Sequence, residues 1–562
     1  MEACMTVASS SPPVLIVGAG PTGLAAALAL VRARIAVRLI DRTPEPGHHT
    51  RAIGIQARTL ELFEQHRIVE PFLELGHRAH AANLYSNGQR RARLDFDPLF
   101  TRYPYLLFLD QTVTERILAE RLAASGVEIE RGCELLEFTQ GSAGVSAEVR
   151  CPNGRIESIR AAYLIAADGA HSTVRHKLGM KFEGETLEQS FLLADVGAGT
   201  PWPDDEFHVF ASSDGLAALF PFGEGRWRLI ADHKAVLPAA PEGTMPVPTL
   251  DECRAIVGQR IHHPVSLSEM TWASYFGVNS RMVRQMRVER VFFAGDAAHV
   301  HSPAGAQGMN TGIQEAFNLG WKLARVLTGG APERLLDTYH AERHPIERLV
   351  LQQTSFMTQL VEADHGPLKL LRERVMPVLV ALGPLRDAAR EAVSELSIQY
   401  RRSPLTLEHG LDGGPRAGER APDALARVID GPFGNAPGTG RIFDLHDPAS
   451  FSLFLLVDGE PGRVARDDDA ALARFVEAVE RLLPQALRVW RLSDAPRGGT
   501  TPKGEGAPTL AESYGRTRPA FYLVRPDGYL CARGRPSSDL DGLLRHCETW
   551  FAPNGAAQGP VA

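Results

Sequence analysis

Short apolar runs rich in β-branched residues recur along the first 180 residues and again near residue 290. Each run stops close to a glycine, an acidic residue or a turn. Runs of this length that end at a turn signal predict buried strands of a parallel sheet. The five clearest are VLIV (14–17), AVRLI (36–40), YLLFL (105–109), YLIA (163–166) and VFFA (291–294).

The segments that follow several of these runs carry apolar residues at helical spacing. The helix predicted after VLIV places Leu24 and Leu28 on one face. The segment 310–327 repeats apolar or small residues every three or four positions, which also predicts a helix. Thr112 and Glu115 predict a capping box for a third helix. The pattern therefore indicates βαβ units.

The texture of the chain changes at three places, which we use to predict domain boundaries. In residues 181–280, strand-like runs joined by glycine-containing turns indicate a mostly antiparallel sheet. After residue 401, a glycine- and proline-rich stretch precedes a last set of predicted strands and a helix. The predicted parts are an α/β domain in 1–180, an inserted sheet domain in 181–280, the second part of the α/β domain with a helical linker in 281–400, and a small α/β domain in 401–562.

Composition narrows the class of protein. With 562 residues, 44% apolar residues and 23% charged residues, the chain is an ordinary globular protein of several domains. A net charge of -7 argues against nucleic acid as a partner. The six cysteines are scattered without a CxxC pair, which argues against a zinc cluster and a disulfide framework and predicts a reducing, cytoplasmic location.

The N-terminal run VLIVGAGPTGLAAALALV is apolar enough to resemble a signal or membrane segment. However, the preceding MEACMTVASSSPP carries no positive charge, and three glycines and a proline interrupt the run. We therefore predict no targeting segment and no membrane association.

The sequence GAGPTG, directly after the first predicted strand, is typical of a dinucleotide-binding turn. Gly18 permits the tight turn, Gly20 lets the backbone approach a pyrophosphate, and Gly23 allows strand and helix to pack closely. The phosphates are expected at the helix N-terminus. Asp41 follows Gly23 by 18 residues and is placed to accept from a ribose hydroxyl. An acid there favours NAD or FAD over a 2′-phosphorylated cofactor.

Two further loop motifs follow predicted strands, DGAHSTVR (168–175) and GDAAHVHSPAGAQGMN (295–310). Both lie where the carboxyl ends of strands are expected to meet, which is the edge at which open α/β sheets bind ligands. A cofactor longer than NAD that contacts several loops explains this distribution better, so we favour FAD.

With these three motifs and LDTYHAERHP (336–345), the chain resembles the FAD-dependent aromatic hydroxylases, the group of para-hydroxybenzoate and phenol hydroxylases. Its sequence pattern is most similar to that of the bacterial branch that hydroxylates hydroxyphenylpropionate-type phenols and aromatic polyketides. The resemblance implies an α/β fold with a Rossmann-type FAD-binding domain, an inserted mostly antiparallel β-sheet substrate domain and a C-terminal thioredoxin-like domain. Because that last domain lacks CxxC, we expect it to be structural or to stabilise a homodimer.

The resemblance also implies roles for individual residues. Arg51 and Pro303 are the predicted catalytic residues, beside the pyrophosphate or isoalloxazine and at the reactive edge of the flavin. The residues implied in cofactor binding are Gly18, Gly20, Gly23, Asp41, Arg42, Arg51, Gln111, Asp168, Arg175, Asp296, Pro303, Gly308, Met309 and Asn310. Independently, the N-terminus of the helix near residue 311 is expected to favour negative charge on the reduced flavin.

The activity implied is hydroxylation of a phenolic or polycyclic aromatic substrate with O2 and NADH or NADPH, through a flavin C4a-hydroperoxide. Such a site must exclude water, and deprotonation of the phenol would activate the ring. Epoxidation, ring-opening oxygenation and antibiotic inactivation on the same fold stay open, as does a non-catalytic flavin-binding role. The chain lacks the WxWxIP segment of flavin halogenases.

Two residue sets are less informative. His299 and His301 alternate on an extended segment with Asp296 as the nearest acid, so we predict no metal site and a structural role for His299. In the substrate sheet we predict contacts from His208, Phe210, Phe220 and Phe222. Arg226 and Arg228 are expected at the surface, which leaves no inward cation for a carboxylate and favours a neutral, apolar phenol.

Overall fold

The computed structural model describes residues 12–47, 52–233, 247–301, 307–362, 383–431, 438–458, 466–483, 485–495 and 508–552. The first part of the chain contains β1 (Val14–Val17), α1 (Pro21–Arg32), β2 (Val37–Asp41), β3 (Gly54–Ile55), α2 (Ala57–Gln65), α3 (Glu70–Leu75), β4 (His77–Ala79), β5 (Ala81–Ser86), β6 (Gln89–Asp95), β7 (Leu106–Phe108), α4 (Gln111–Ala124), β8 (Ile129–Arg131), β9 (Glu134–Gly141), β10 (Gly144–Arg150), β11 (Ile156–Ala161), β12 (Leu164–Ala166) and α5 (Thr173–Lys177).

The middle of the chain forms the long strands and the long helices. It contains β13 (Phe182–Gly199), β14 (Glu206–Ser212), β15 (Gly215–Gly223), β16 (Arg226–His233), α6 (Leu250–Arg260), β17 (Ser266–Val283), β18 (Arg287–Val288), β19 (Val291–Phe293), a 3-10 turn (Gly295–Ala297), β20 (His299–Val300), α7 (Gly308–Leu327), a second 3-10 turn (Glu333–Leu336), α8 (Asp337–Glu362) and α9 (Gly383–Ser394).

The last part contains β21 (Leu407–Glu408), β22 (Leu425–Asp430), β23 (Gly438–Arg441), α10 (Ile442–Leu445), β24 (Phe451–Leu456), α11 (Arg466–Leu482), β25 (Leu487–Asp494), α12 (Leu510–Tyr514), β26 (Ala520–Val524), β27 (Leu530–Gly534) and α13 (Leu540–Trp550). Most of its strand residues are buried, because this sheet carries helices on its faces.

The predicted βαβ unit lies at the centre of a six-stranded sheet with the order β18-β19-β12-β1-β2-β8. The strands from β19 to β8 are parallel. β1 is buried on both faces, which explains why VLIV contains no polar position. Because β1, β12 and β19 run the same way, the loops that follow them meet at one edge of the sheet.

Helix α7 packs against α1 at small residues. A Cβ atom added at Gly320 would lie 2.5 Å from the Cβ of Ala29, and one added at Gly312 would lie 2.3 Å from Oγ1 of Thr22. The two helices therefore approach backbone to backbone, which requires glycine at both positions of α7. This contact fixes the start of α7 beside the start of α1.

The second large sheet has eight strands in the order β20-β17-β13-β16-β15-β14-β5-β6. The strand pairs among β13 to β17 are antiparallel, as predicted, but β14 pairs with β5 in parallel. The sheet begins its long strands at Phe182, but it also takes β5 and β6 from residues 81–95, outside the predicted range 181–280. A strand from the first part of the chain can join because it adds at an open edge.

The C-terminal strands form a seven-stranded sheet with the order β21-β27-β26-β24-β25-β22-β23. β24 and β25 are parallel and are joined through α11. β26 is antiparallel to both of its neighbours, whereas β27 is antiparallel to β26 and parallel to β21. Its apolar core continues into α7 through Trp321 and into the turn before α8 through Leu335. The sheet is thus packed onto the first domain.

Three other predictions are tested by the structure. Helix α4 begins at Gln111, and the side chain of Asp110 accepts from the backbone N–H of Thr112 at 2.8 Å. The predicted capping box of Thr112 is therefore wrong, because the cap lies two residues earlier. The cysteines within the described ranges form no disulfide bond; Cys4 lies outside these ranges. In the same ranges, we find no helix that is both long and apolar enough to span a bilayer.

Candidate functional site

The three predicted motifs converge at the carboxyl edge of the six-stranded sheet. A Cβ added at Gly18 would lie 2.2 Å from the carbonyl oxygen of Ala167, directly before the DG motif. One added at Gly295 would lie 2.5 Å from Oγ1 of Thr22 in the glycine motif. Three segments that are far apart in the sequence therefore touch at positions where only glycine fits.

The glycine turn has the shape that a pyrophosphate requires. Gly18 has a φ of 105°, and a Cβ at Gly23 would lie 1.9 Å from the carbonyl oxygen of Gly18, so both positions are closed to larger residues. Gly20 differs, because nothing lies within 4 Å of a Cβ added there and its φ is -75°. The open side of Gly20 faces the N-terminus of α1, where the helix dipole favours anions.

Asp41 ends β2 and holds the glycine turn in place. Its Oδ2 accepts from the backbone N–H of Ala19 at 2.7 Å, and its Oδ1 accepts from the N–H of Thr43 at 2.8 Å. A carboxylate group has about four lone-pair sites, so Asp41 can still accept from a ribose hydroxyl. The neighbouring Arg42 is exposed.

Asp168 and Arg175 connect the DG motif to the GD motif. Asp168 accepts from the N–H of Val174 at 3.2 Å, and burial raises the pKa of its carboxyl group. The buried guanidinium of Arg175 donates to the carbonyl oxygens of Ala297 at 3.0 Å and Ala170 at 2.6 Å. Arg175 thus fixes the distance between the two loops.

The GD motif leads into the start of α7. Asp296 is exposed at the edge of the sheet, while Gly308, Met309 and Asn310 form the first turn of α7. The N–H groups in the first turn of a helix have no acceptor within the helix, so this turn can donate hydrogen bonds to an anion. The side chain of Asn310 has another use: its Nδ2 donates to the carbonyl oxygen of Gly54 at 2.8 Å.

Two predicted residues lie outside the described ranges. Arg51 and Pro303, the predicted catalytic residues, belong to segments of which the structure describes nothing. Their assignments stay predictions.

His299 is fully buried in a charged cluster that the sequence did not indicate. Its Nε2 lies 3.0 Å from Oε1 of Glu315 on α7 and 3.5 Å from Oε2 of Glu347 on α8. The expectation that Asp296 is the nearest acid is therefore wrong, because tertiary packing brings two glutamates from distant helices. The guanidinium of Arg343 lies 2.8 Å from Glu347, and the expectation of no metal site stays a prediction.

Arg228 lies inside the molecule rather than at the surface, contrary to our expectation. Its side chain is 1% exposed and makes a two-pronged ion pair with Asp195, with Nε–Oδ1 at 2.6 Å and Nη2–Oδ2 at 2.8 Å. Asp110, the cap of α4 next to Gln111, lies 3.8 Å from the same guanidinium. Gln111 itself donates through Nε2 to Glu115 at 2.8 Å. Because Asp195 holds this guanidinium, a substrate carboxylate would have to compete with it.

The four predicted substrate residues lie on two different faces of the eight-stranded sheet. His208 and Phe210 face α6, where the imidazole stacks on Trp202 at 4.4 Å between ring centroids, and burial lowers the pKa of His208 to about 4. Phe220 and Phe222 lie on the opposite face, which packs against Phe108 of β7. The sequence did not reveal which face each strand turns towards the first domain.

The face that carries Phe220 and Phe222 continues across β16, β13 and β17 as an apolar surface, here called the inner face. Besides Phe220 and Phe222, the apolar residues of the inner face are Phe191, Leu193, Leu216, Ile230, Trp272 and Phe276. Leu216, Ile230 and Trp272 are partly exposed, and the sheet ends at β20, which belongs to the GD motif. A cleft of about 210 Å³ opens beside this face and is lined by Asp110, Asp195, Phe222 and Trp227 among others.

Comparisons with known proteins agree with this geometry. The model of the FAD-binding-domain family matches residues 11–354. The chain is 36% identical to a 6-methylpretetramide 4-monooxygenase from Streptomyces rimosus, with 98% of this chain and 96% of the relative covered, and 36% identical to a pentachlorophenol 4-monooxygenase from Sphingobium chlorophenolicum, with 96% and 98% covered. A solved anhydrotetracycline hydroxylase from Streptomyces rimosus matches with a TM-score of 0.73 at 30% identity, with 96% and 99% covered. This chain therefore belongs to the FAD-dependent aromatic monooxygenases that share the FAD-binding domain.

Proposed function

We propose that the protein hydroxylates a polycyclic aromatic phenol whose rings lie against the inner face of the eight-stranded sheet. The observation that carries this proposal is the position of that apolar face, between the contact with Phe108 and the strand β20 that leads into the cofactor loop. When bound, FAD accepts hydride from NADH or NADPH and activates O2. The chain itself has to hold the cofactor, orient the ring and exclude water.

The residues at the carboxyl edge fit FAD. The closed positions Gly18 and Gly23 and the open position Gly20 leave room for a pyrophosphate at the start of α1. Asp41 would bind the adenosine ribose and Asp296 the ribityl chain. The first turn of α7 would donate to the pyrimidine end of the isoalloxazine, where its dipole favours negative charge on the reduced ring.

The electrostatics of the inner face favour a neutral substrate of low polarity. Arg228 contributes a cation to this face, and Asp195 holds it in two hydrogen bonds. The guanidinium also lies 5.1 Å from the ring of Trp272 and 5.3 Å from that of Phe222. A carboxylated substrate would have to displace Asp195, at the cost of leaving that carboxylate unpaired. Several rings without charge bind such a surface more readily.

The relatives support a substrate of this class. One acts on 6-methylpretetramide and a solved neighbour is an anhydrotetracycline hydroxylase, whereas pentachlorophenol is the substrate named for another relative. Since monocyclic and polycyclic phenols both occur, the proposal for this chain rests on the breadth of its inner face.

We also propose that the C-terminal sheet is a thioredoxin-like domain with a structural role. The order β25-β24-β26-β27, with β24 and β25 parallel and joined by a helix, is the arrangement that such domains share. Its cysteines within the described ranges, Cys531 and Cys547, are fully buried, and burial raises the pKa of both thiols. Thiols that stay protonated do not exchange disulfides. A cytoplasmic location and a homodimer stay predictions.

The proposed activity is tested with the purified FAD-loaded protein. We expect polycyclic phenols to stimulate the oxidation of NADH or NADPH more than monocyclic phenols do, and the product to carry one oxygen atom from labelled O2. Equal stimulation by both classes would contradict the substrate assignment. A product with a cleaved ring or an epoxide would instead support the other oxygenation chemistries, and nicotinamide oxidation that forms only peroxide would leave hydroxylation unsupported.

Replacing Trp272 with alanine tests the inner face. The partly exposed indole offers apolar area to a substrate, so we expect the KM for the aromatic substrate to rise roughly fivefold, equivalent to about 1 kcal/mol of lost contact. The Kd for FAD should not change. Tyr275→Phe is the matched control, because Tyr275 lies on the same strand but points to Glu252 on the opposite face, with an O–Oε1 distance of 2.5 Å. An effect on KM of the same size in both variants would contradict the assignment of the face.

A further inference from the structure

A network of buried polar groups connects two described parts, 295–301 and 307–311, of the proposed flavin-binding motif. The backbone N–H of Gly295 donates to Oε2 of Glu315 at 2.7 Å, and Oε1 of Glu315 lies 3.0 Å from Nε2 of His299. The imidazole thus contacts, through one carboxylate, the residue directly before Asp296.

The same imidazole reaches the other described part of the motif. Its Nε2 lies 3.5 Å from Oε2 of Glu347, whose Oε1 lies 2.8 Å from Nη2 of Arg343. That guanidinium nitrogen donates to the carbonyl oxygen of Thr311 in the first turn of α7 at 3.2 Å. We call these six residues, Gly295, His299, Thr311, Glu315, Arg343 and Glu347, the His299 network.

With both glutamates ionised, the charges of the network balance when His299 is protonated. Glu315 and Glu347 are fully buried, as are His299 and Arg343, so no solvent screens them. With a neutral imidazole, two carboxylates would share one guanidinium in a medium of low dielectric, which is costly. The imidazolium removes this excess and donates to the carboxylate that holds Gly295.

We propose that His299 is a positioning residue whose imidazolium, held between Glu315 and Glu347, fixes the positions of Gly295 and Thr311 and thereby sets the affinity for FAD. This inference rests on the proposed role of the flavin-binding motif. The imidazole acts through its neighbours, since the side chain of Glu315 contacts Gly295 and the side chain of Arg343 contacts Thr311.

The proposal has a pH dependence with a defined sign. Burial alone would lower the pKa of His299, but the carboxylates of Glu315 and Glu347 outweigh it and raise the pKa from 6.5 to about 9. The stabilisation by the imidazolium is therefore fully present below pH 6.5 and is lost as the pH rises through about 9.

Other titratable groups surround the network. Burial raises the pKa of Glu347 to about 7 and that of Glu395, near Gln314 on α7, to about 8. Burial also raises the pKa of Tyr339 and Tyr400 well above 10. Asp296 and His301 are two further titratable groups beside His299. The ring centroids of His301 and His299 are 6.3 Å apart, and the charge of Asp296 also raises the pKa of His299. An alkaline loss of FAD affinity that is present in the wild-type protein and absent from His299→Gln therefore reports on His299.

The test is the Kd for FAD, measured from flavin fluorescence between pH 6 and 10, in His299→Gln. Glutamine keeps a donor but no charge. We expect a Kd about tenfold higher at pH 7.5 and no further weakening above pH 8.5, where the wild-type protein loses affinity. The double variant His299→Gln/Glu347→Gln restores the charge balance, and we expect it to recover most of the affinity even where the single variant folds poorly.

The control is His446→Gln, which removes a buried imidazole from the C-terminal sheet, where it contacts Ser452 and the carbonyl oxygen of Pro526. It should leave the Kd and its pH profile unchanged. A wild-type-like Kd and alkaline loss in His299→Gln, or no recovery in the double variant, would overturn the inference while the proposed function stands. Failure of the wild-type protein to bind FAD would overturn the proposed function and this inference together.

Discussion

Replacing Glu342 with alanine is expected to destabilise the holoenzyme by about 3–5 kcal/mol, the usual cost of removing one partner of a buried ion pair. The carboxylate of Glu342 joins the first domain to the C-terminal sheet. It accepts from Lys322 of α7 at 2.7 Å and from Arg525 of the C-terminal part at 2.6 and 3.0 Å. All three side chains are at most 1% exposed.

The two cations respond differently to this loss. Burial lowers the pKa of Lys322 to about 8 even with Glu342 present, so the lysine can release its proton when the carboxylate is removed. Arg525 cannot do so and keeps Asp527 as its charged partner. We therefore expect Glu342→Gln, which keeps the shape and loses the charge, to be destabilised less than Glu342→Ala.

Denaturant unfolding followed by circular dichroism measures this effect. Glu120→Ala is the matched control, since Glu120 forms an exposed ion pair with Arg116 within α4 and should lose less than about 0.5 kcal/mol. A loss below about 1 kcal/mol in Glu342→Ala would show that the buried cluster does not hold the two domains together.

The same cluster predicts how stability depends on acid. Burial alone would raise the pKa of Glu342, but Arg525 and Lys322 outweigh it and hold the pKa well below its ordinary 4.5. This contribution to stability is therefore present above pH 4.5 and is lost as the pH falls towards the lower pKa of the folded state. In Glu342→Gln, the unfolding free energy should fall less steeply between pH 5 and pH 3 than in the wild-type protein.

Replacing Gly20 with valine is expected to weaken FAD binding roughly 10- to 100-fold while the protein stays folded, because overpacking costs about 1–3 kcal/mol. The φ of -75° suits any residue, and nothing in the structure lies within 4 Å of the added Cβ. The new side chain would nevertheless occupy the space that the pyrophosphate needs at the start of α1. Flavin fluorescence gives the Kd, and circular dichroism gives the fold.

Two other glycines provide comparisons for this variant. Gly258→Val is the matched control, because Gly258 is also free of neighbours within 4 Å but lies at an exposed position of α6, away from the proposed cofactor site. Gly18→Ala should instead disturb the fold, since its φ is 105° and the added Cβ would meet Ala167. An unchanged Kd in a folded Gly20→Val protein would contradict the proposed pyrophosphate site.

Local pattern predicted the elements on which the cofactor site is built. VLIV, YLIA and VFFA correspond to β1, β12 and β19, and the apolar spacing of 310–327 corresponds to α7. These predictions depend on neighbours within a few residues, because a strand buried on both faces has no polar position and a packed helix repeats its apolar face every turn. The order of the parallel strands then brings the three loops to one edge.

The orientation of the sheet faces could not be predicted in this way. Trp227 and Arg228 are adjacent, so one must face α6 and the other the inner face, yet either choice satisfies the alternation of a strand. The structure turns Trp227 towards α6 and Arg228 inwards, where it pairs with Asp195. His208 and Phe220 are separated for the same reason: the register between β14 and β15 decides their faces.

The dinucleotide turn, the two further loop motifs and the family could all be predicted from the chain alone, because each is carried by a short stretch whose chemistry depends on residue spacing. The environments of His299 and of Glu342, in contrast, depend on tertiary packing. Glu315, Glu347 and Arg343 meet His299 from two helices, and Arg525 meets Glu342 from a separate sheet. Such pairs leave no local pattern, since their partners are far apart in the sequence and meet only once the helices and sheets have packed.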